Sequence, residues 1–186
     1  MVDITVCIPS IPPRKALLER AFSSVLSQTA PAASIAVAMD MNKQGAWATR
    51  MDAVKMAKTE WIAFLDDDDE FLPHHIETLM RHAEYHKADC VWGWFEVVGG
   101  KDPFPHYKAR PYNPQQPHIV PITYIARREL LMDGPGFQAD VGGSWDVQDQ
   151  PVLDYIHANG KMIAANDITW RWHHHGKNTS GLPTRW

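Results

Sequence analysis

The spacing of apolar and polar positions changes character several times along the chain. Residues 3–11 ("DITVCIPSI") form an apolar, β-branched run closed by Pro12 and Pro13, which predicts a buried strand. In residues 14–28, Leu17, Leu18, Ala21, Phe22, Val25 and Leu26 recur at helical spacing and predict an amphipathic helix, with Pro13 suited to its first turn. Residues 34–40 ("SIAVAMD") predict a second buried strand, residues 45–58 a second helix, and residues 60–66 ("EWIAFLD") a third strand. Strand, helix, strand, helix, strand is the order of a parallel sheet with crossover helices. Such sheets bind ligands beyond the carboxyl ends of their strands. Ser10, Asp40 and residues 66–69 fall at those ends, so three strands carry polar groups toward one edge.

The pattern continues less regularly. Residues 73–88 predict a third helix beginning near Pro73, and residues 90–98 ("CVWGWFEVV") a strand. Residues 99–121 are rich in Pro and aromatics and predict a long loop or loose hairpin, a length at which loops are often functional. Residues 122–132 predict a strand running into a short helix, residues 134–146 a flexible glycine-rich segment, and residues 146–160 a helix stopped by Gly160. Residues 161–176 predict one or two strands, followed by a polar tail. Repeats and domain linkers are absent from the pattern. The expected fold is a single α/β domain with a mostly parallel central sheet flanked by helices and a small antiparallel part near the C-terminus.

Composition narrows the function. A chain of 186 residues, 45% hydrophobic and 22% charged, can bury one full core. A net charge of -4 argues against a nucleic-acid surface. Cys7 and Cys90 both sit in apolar strands and are expected to be buried, reduced thiols. The N-terminus lacks a basic signal region, and no apolar run approaches the ~20 residues of a membrane helix. A soluble, cytoplasmic protein is therefore expected. The eight Trp serve either as core mass or as stacking surfaces for sugars.

The stretch "FLDDDDEFLP" places five carboxylates in a row at the end of the third strand. Like charges this close repel by roughly 1 kcal/mol per pair even in water. Because side chains alternate along an extended chain, Asp66 and Asp68 face one side. Carboxylate oxygens suit Mg²⁺ or Mn²⁺, and Mg²⁺ is commonly held by one or two carboxylates together with ligand phosphates. The run is thus expected to be half of a clamp for a cation and a diphosphate, with raised carboxyl pKa values in the ion-free protein. Asp67 is expected to face the nucleotide or the solvent. Asp69 and Glu70 are expected to support the turn and the helix that follows.

Two further groups carry candidate chemistry. His173, His174 and His175 follow a strand-like segment; alternation puts His173 and His175 on one face, where either would serve as a metal ligand, or simply as a solvated strand end. Asp146 and Asp149 lie three apart on one helix face. Asp146 suits an N-cap, and Asp149 a general base if the fold brings it to the cleft.

These segments, in this order, resemble the GT-A glycosyltransferases, most closely glycosyltransferase family 2 of the small bacterial or phage type. "ITVCIPSIPPR" resembles the family's first strand and puts Pro9, Ser10, Ile11 and Arg14 at the turn that meets the nucleotide. "AVAMD" resembles the second strand, whose terminal acid, here Asp40, contacts the base. "GAWATRMDAVKMAKTEWIAFLDDDDEFLP" resembles the helix with its Arg, here Arg50, followed by the L-D-x-D-D strand end. The resemblance implies that Asp68 is the direct metal ligand, with Asp66 and Asp67 beside it, and that His175 or His173 completes the metal shell. "WDVQDQPVLDYIHANG" resembles the segment supplying the catalytic base; Asp149 matches its Asp, while Gln148 stands where Glu is common. The implied activity is inverting transfer of a hexose from a UDP- or GDP-linked donor to a glycan, protein or small-molecule acceptor, dependent on Mn²⁺ or Mg²⁺. Residues 1–98 would hold the donor and metal, and residues 99–186 the acceptor and base.

Two other classes compete. A metal-dependent phosphoryl or nucleotidyl enzyme would use the same acids. A phosphatase of that kind wants D-x-D at its first strand end, where this chain has Pro9 and Ser10. A nucleotidyltransferase wants a glycine-rich basic loop there, and "PSIPPRK" has no Gly. A non-catalytic module binding sugar nucleotides or glycans fits the Trp count and requires nothing of Asp149.

Overall fold

The computed structural model describes residues 1–102, 108, 110–115, 121–137 and 146–174. In chain order these form β1 (Val2–Ser10), α1 (Lys15–Leu26), β2 (Ala32–Met39), α2 (Ala46–Met56), β3 (Trp61–Phe64), β4 (Glu70–Phe71), α3 (His75–His86), β5 (Cys90–Val98), β6 (Tyr124–Arg127), α4 (Arg128–Asp133), α5 (Asp146–Asn159) and β7 (Met162–His173), with 3-10 turns at Pro12–Arg14 and Pro121–Thr123. All strands join one seven-stranded sheet in the order β2-β1-β3-β6-β5-β7-β4.

Strand alternation splits the core into two layers. Ile4, Val6 and Ile8 of β1, Trp61 and Ala63 of β3 and Ile125 of β6 face one cluster, which α1 and α3 close with Ala21, Val25, Ile76 and Leu79. Cys7, Ile62, Phe64, Tyr124 and Ala126 point the other way, into a cluster closed by Ala53 and Val54 of α2, Leu131 of α4 and Leu153 and Ile156 of α5. A strand covered on both faces reads as a continuous apolar run, which is why β1 and β3 were legible as buried strands. Cys7 and Cys90 are free and buried, and burial pushes the Cys7 thiol up to about 12 despite Arg128. Trp61, Trp92, Trp94 and Trp170 are likewise core residues.

Three features depart from expectation. The sheet is mixed throughout: β1 pairs in parallel with β2 and β3, and β5 with β7, while β3–β6, β5–β6 and β4–β7 are antiparallel. The antiparallel member β6 therefore stands in mid-sheet, not only near the C-terminus. β2 is an edge strand, and only Ala36 and Ala38 of it are buried. Third, the end of the acid run is itself a strand. Glu70 pairs with Arg171 and Phe71 with Trp170. α3 begins at His75, and the His75 ring stacks on Phe71 at 3.7 Å between centroids, tying α3 to β4. Residues 65–69 are thus a short loop fixed at both ends. Parts of the two long segments, 103–107, 109, 116–120 and 138–145, lie outside the described residues, as does 175–186 and with it His175.

β5 and β7 share the longest pairing, with register shifts between Trp92 and Trp94 and between Trp94 and Phe95. Gly93 sits there because Thr169 of β7 presses against it: a Cβ at Gly93 would lie 2.5 Å from Thr169 Oγ1. Gly93→Ala is expected to lower stability by roughly 2 kcal/mol, within the usual cost of overpacking, and Tm by about 4–8 °C. Adding Thr169→Ala should recover most of that loss in thermal melts, because it removes the clashing atoms.

Candidate active site

The order β2-β1-β3 brings the carboxyl ends of three parallel strands side by side, and the polar groups gather there. Ser10 ends β1. Its carbonyl accepts the Asp40 N–H at 2.8 Å, and its hydroxyl donates to Asp67 Oδ2 at 2.7 Å. Pro9 precedes it, paired with Ala38. Ile11 opens the 3-10 turn by accepting the Arg14 N–H at 3.0 Å. Arg14 turns back over the acid loop, with Nη1 2.9 Å from Asp67 Oδ1 and 3.1 Å from Asp68 Oδ2. Burial pulls the Arg14 pKa down, but Asp68 and Asp67 outweigh it and the net shift is upward.

Asp40 is buried, and its carboxylate organises the next loop. Oδ1 accepts the N–H groups of Asn42 and Gln44, and Oδ2 that of Gly45. Gly45 has φ 97° and immediately precedes α2, a conformation that a side chain would strain. Asp40 is thus already engaged with the backbone at the position expected to meet the base.

Arg50 joins two acids that are distant in sequence. Its Nη2 donates to Asp66 Oδ1 at 2.8 Å and to Oδ2 at 3.2 Å, and its Nη1 lies 4.0 Å from Asp149 Oδ1. Asp149 stands in the first turns of α5 and is largely withdrawn from solvent, and its Oδ1 has no hydrogen-bond partner. Burial pushes the Asp149 carboxyl up to about 6; Arg50 opposes this and Asp66 adds to it. A carboxylate with an unsatisfied oxygen and a pKa near the operating pH suits general-base work. Asp146 begins the same helix.

In the acid loop, Asp67, Asp68 and Asp69 are buried and Asp66 is half-buried. One carboxylate oxygen from each of Asp66, Asp68 and Asp69 lies within 4.8 Å of the others. Such an all-oxygen set fits a hard divalent cation. Burial, then Asp68 and Asp66, hold the Asp69 carboxyl well above the usual range, although the His173 N–H and Arg20 oppose this. Asp67 is also raised, mainly by burial, against Ser10 and Arg14. The expectation of raised carboxyl values in the ion-free loop therefore holds for these two. Asp67 is not solvated, as one alternative had it: its oxygens are taken by Ser10 and Arg14.

Several site features escaped the sequence. Asp69 joins the carboxylate group, because β4–β7 pairing turns it inward where Oδ1 accepts the His173 N–H at 2.8 Å. Glu70 stands in β4, where Oε2 shares a hydrogen bond of 3.0 Å with His173 Nε2 and Oε1 accepts from Arg171. His173 therefore adjoins the acids through its main chain while its ring is paired with Glu70. Arg20 of α1 donates to the Asp68 carbonyl and so holds the loop from the helix side. Its only sequence signal was a cation on an amphipathic helix. Tyr112 is a second surprise. Its hydroxyl donates to Asp154 Oδ1 at 2.7 Å, and Gln150 Nε2 donates to the Pro114 carbonyl, which clips residues 112–114 onto the helix that carries Asp149.

The mixed α/β sheet, with its acids and arginines at the strand ends, has the GT-A fold of the solved glycosyltransferases it superposes on. The family description "Glycosyl transferase family 2" matches residues 34–137, more than half of the chain, and the protein belongs to that family. No curated protein matches the chain in sequence. Among solved structures, S. aureus TarS 1–349 in complex with UDP-GlcNAc superposes with a TM-score of 0.80 at 16% identity, over 99% of this chain and 62% of that one. A mannosyltransferase, PcManGT from Pyrobaculum calidifontis in complex with GDP-Man and Mn²⁺, gives a TM-score of 0.71 at 13% identity, over 94% of this chain and 58% of that one. At such identities the likeness is one of fold, and this chain spans less than two thirds of either protein. Among the described residues no helix is long and apolar enough to cross a membrane.

Proposed function

We propose that the protein is a divalent-metal-dependent, inverting hexosyltransferase that moves a sugar from a UDP- or GDP-linked donor to a hydroxyl of a glycan, protein or small molecule. The observation that carries this reading is the Asp66–Arg50–Asp149 bridge, which sets a carboxylate of raised pKa, its Oδ1 facing Arg50 at 4.0 Å without a hydrogen bond, beside the acid loop. A non-catalytic binding module has no use for that second carboxylate, and a phosphoryl or nucleotidyl enzyme is disfavoured by the end of β1, where Pro9 and Ser10 stand in place of a D-x-D pair or a glycine-rich basic loop.

In this reading residues 1–98 hold the donor and residues 99–186 supply the base and the acceptor face. Ser10, Ile11 and the 3-10 turn bearing Arg14 border the diphosphate, and Asp40 shapes the loop against which the base rests. Asp66, Asp68 and Asp69 would hold a Mn²⁺ or Mg²⁺ ion, with His173 and, beyond the described residues, His175 as further candidate ligands. When bound, the ion supplies positive charge that stabilises the departing diphosphate. Asp149 takes the proton of the acceptor hydroxyl as its oxygen bonds to the anomeric carbon. The bond from that carbon to the diphosphate oxygen breaks on the opposite face, which inverts the configuration. Arg50 keeps Asp149 ionisable near neutral pH and holds Asp66 in place.

A thermal-shift panel of UDP, GDP and CDP with their common hexose conjugates, each with and without Mn²⁺, tests the reading. One donor family is expected to raise Tm by about 5–10 °C at 100 times its dissociation constant, and only with the metal. Stabilisation by none of them would sink it.

A further inference from the structure

Three arginines hold the acid loop, and they hold it differently. Arg50 bonds the carboxylate of Asp66. Arg20 bonds the main-chain carbonyl of Asp68. Arg14 bonds the carboxylate of Asp68 itself, at 3.1 Å, along with Asp67 at 2.9 Å. Asp68 is one of the three acids whose oxygens converge for a cation. A divalent ion on that carboxylate would face a guanidinium on the same group, and two cations sharing one carboxylate repel.

The surroundings allow Arg14 to let go. Asp67 keeps the Ser10 hydroxyl, a bond of 2.7 Å, whatever Arg14 does. The Asp68 backbone keeps Arg20. Arg14 lies in the 3-10 turn Pro12–Arg14, outside the strands and α-helices and directly after the carboxyl end of β1 where a diphosphate would lie.

Resting on the glycosyltransferase reading above, we infer that Arg14 is an exchangeable counter-ion that couples metal binding to diphosphate binding. It neutralises Asp68 in the ion-free protein, yields that carboxylate to the divalent ion, and moves its charge onto the diphosphate of the donor. The exchange makes the protein a poor binder of metal alone and a good binder of metal with nucleotide. An arginine that only braced the loop would, when removed, weaken the binding of both.

The test measures Mn²⁺ binding from the electron paramagnetic resonance signal of the free ion, with and without UDP or GDP, for wild type, Arg14→Gln and Arg14→Lys. Arg14→Gln is expected to bind Mn²⁺ alone roughly tenfold more tightly, because a like charge beside the ion is gone. The same variant is expected to bind UDP or GDP in the presence of Mn²⁺ roughly tenfold more weakly. Arg14→Lys, which keeps the charge on a shorter stem, should move both affinities in the same directions by less. Thermal melts establish that each variant is folded, and Arg14→Lys carries the test alone if Arg14→Gln is not. Unchanged or weaker binding of Mn²⁺ alone to the variant, or unchanged nucleotide binding, overturns the exchange while the glycosyltransferase reading stands. If the wild type binds neither Mn²⁺ nor nucleotide at millimolar concentration, both fall.

Discussion

Asp149→Asn is expected to reduce sugar transfer by about 10³-fold, within the range supplied by a positioned general base, while leaving binding of the nucleotide with Mn²⁺ within about threefold of wild type. Asparagine keeps the shape and cannot accept the hydroxyl proton. The pH dependence gives a second signature. Burial raises the Asp149 carboxyl to about 6, so the base form is lost as pH falls through that value. The rate for wild type should therefore drop below about pH 6 and level off above pH 7, and the residual rate of Asp149→Asn should lack that limb. The stability sign runs the other way. A carboxyl whose folded pKa exceeds its unfolded value binds more protons in the native state, so ionising it costs the fold stability as pH rises from about 4 to about 6. The neutral Asn variant should therefore melt no earlier than wild type at pH 7, which separates lost chemistry from lost structure. Wild-type turnover in Asp149→Asn removes the residue as base.

Asp68→Ala is the second large effect. Transfer should fall by about 10²–10³-fold, and the Mn²⁺-dependent stabilisation by nucleotide should vanish, since the charge that stabilises the leaving group is no longer held. In metal-free buffer the same variant should melt within a few degrees of wild type. Asp68 is among the charges that raise the Asp69 carboxyl, so its removal relieves crowding, while Arg20 loses nothing because it bonds the main chain. Calorimetric titration of Mn²⁺ with UDP or GDP checks the first expectation and thermal melts the second. Undiminished Mn²⁺-dependent turnover would show that the acid loop does not carry the metal.

Much of this was visible in the order of residues. β1 and β3 were legible because strands covered on both faces must be apolar at nearly every position, and α1 because its buried stripe returns every third or fourth residue. β2 shares that apolar run and yet lies half-exposed at the sheet edge, since the same β-branched residues fit a central or an edge position. β4 was invisible: two residues contain no period, and its existence depends on β7, about 100 residues later in the chain. The full setting of Asp69 was hidden for the same reason: it closes the turn, as expected, through its N–H to the Asp66 carbonyl, and it also accepts the His173 N–H of β7. Proximity to a helix start argued for a helix-supporting acid, but pairing of Glu70 with Arg171 turned Asp69 toward the other carboxylates.

The sequence by itself determined the chemistry available: carboxylates placed at strand ends by spacing, a second acid on a later helix, and an α/β order that gathers strand ends on one edge. Those features depend on contacts between near neighbours, whose geometry follows from backbone period alone. Only the tertiary structure decided which charges meet. Arg50 bridges Asp66 and Asp149 across 16 residues on one side and 99 on the other, Arg14 reaches Asp67 and Asp68, and Arg20 holds the loop from behind. Such pairings depend on how the helices pack against the sheet, and packing is set by the summed burial of two core layers, so no local pattern records it.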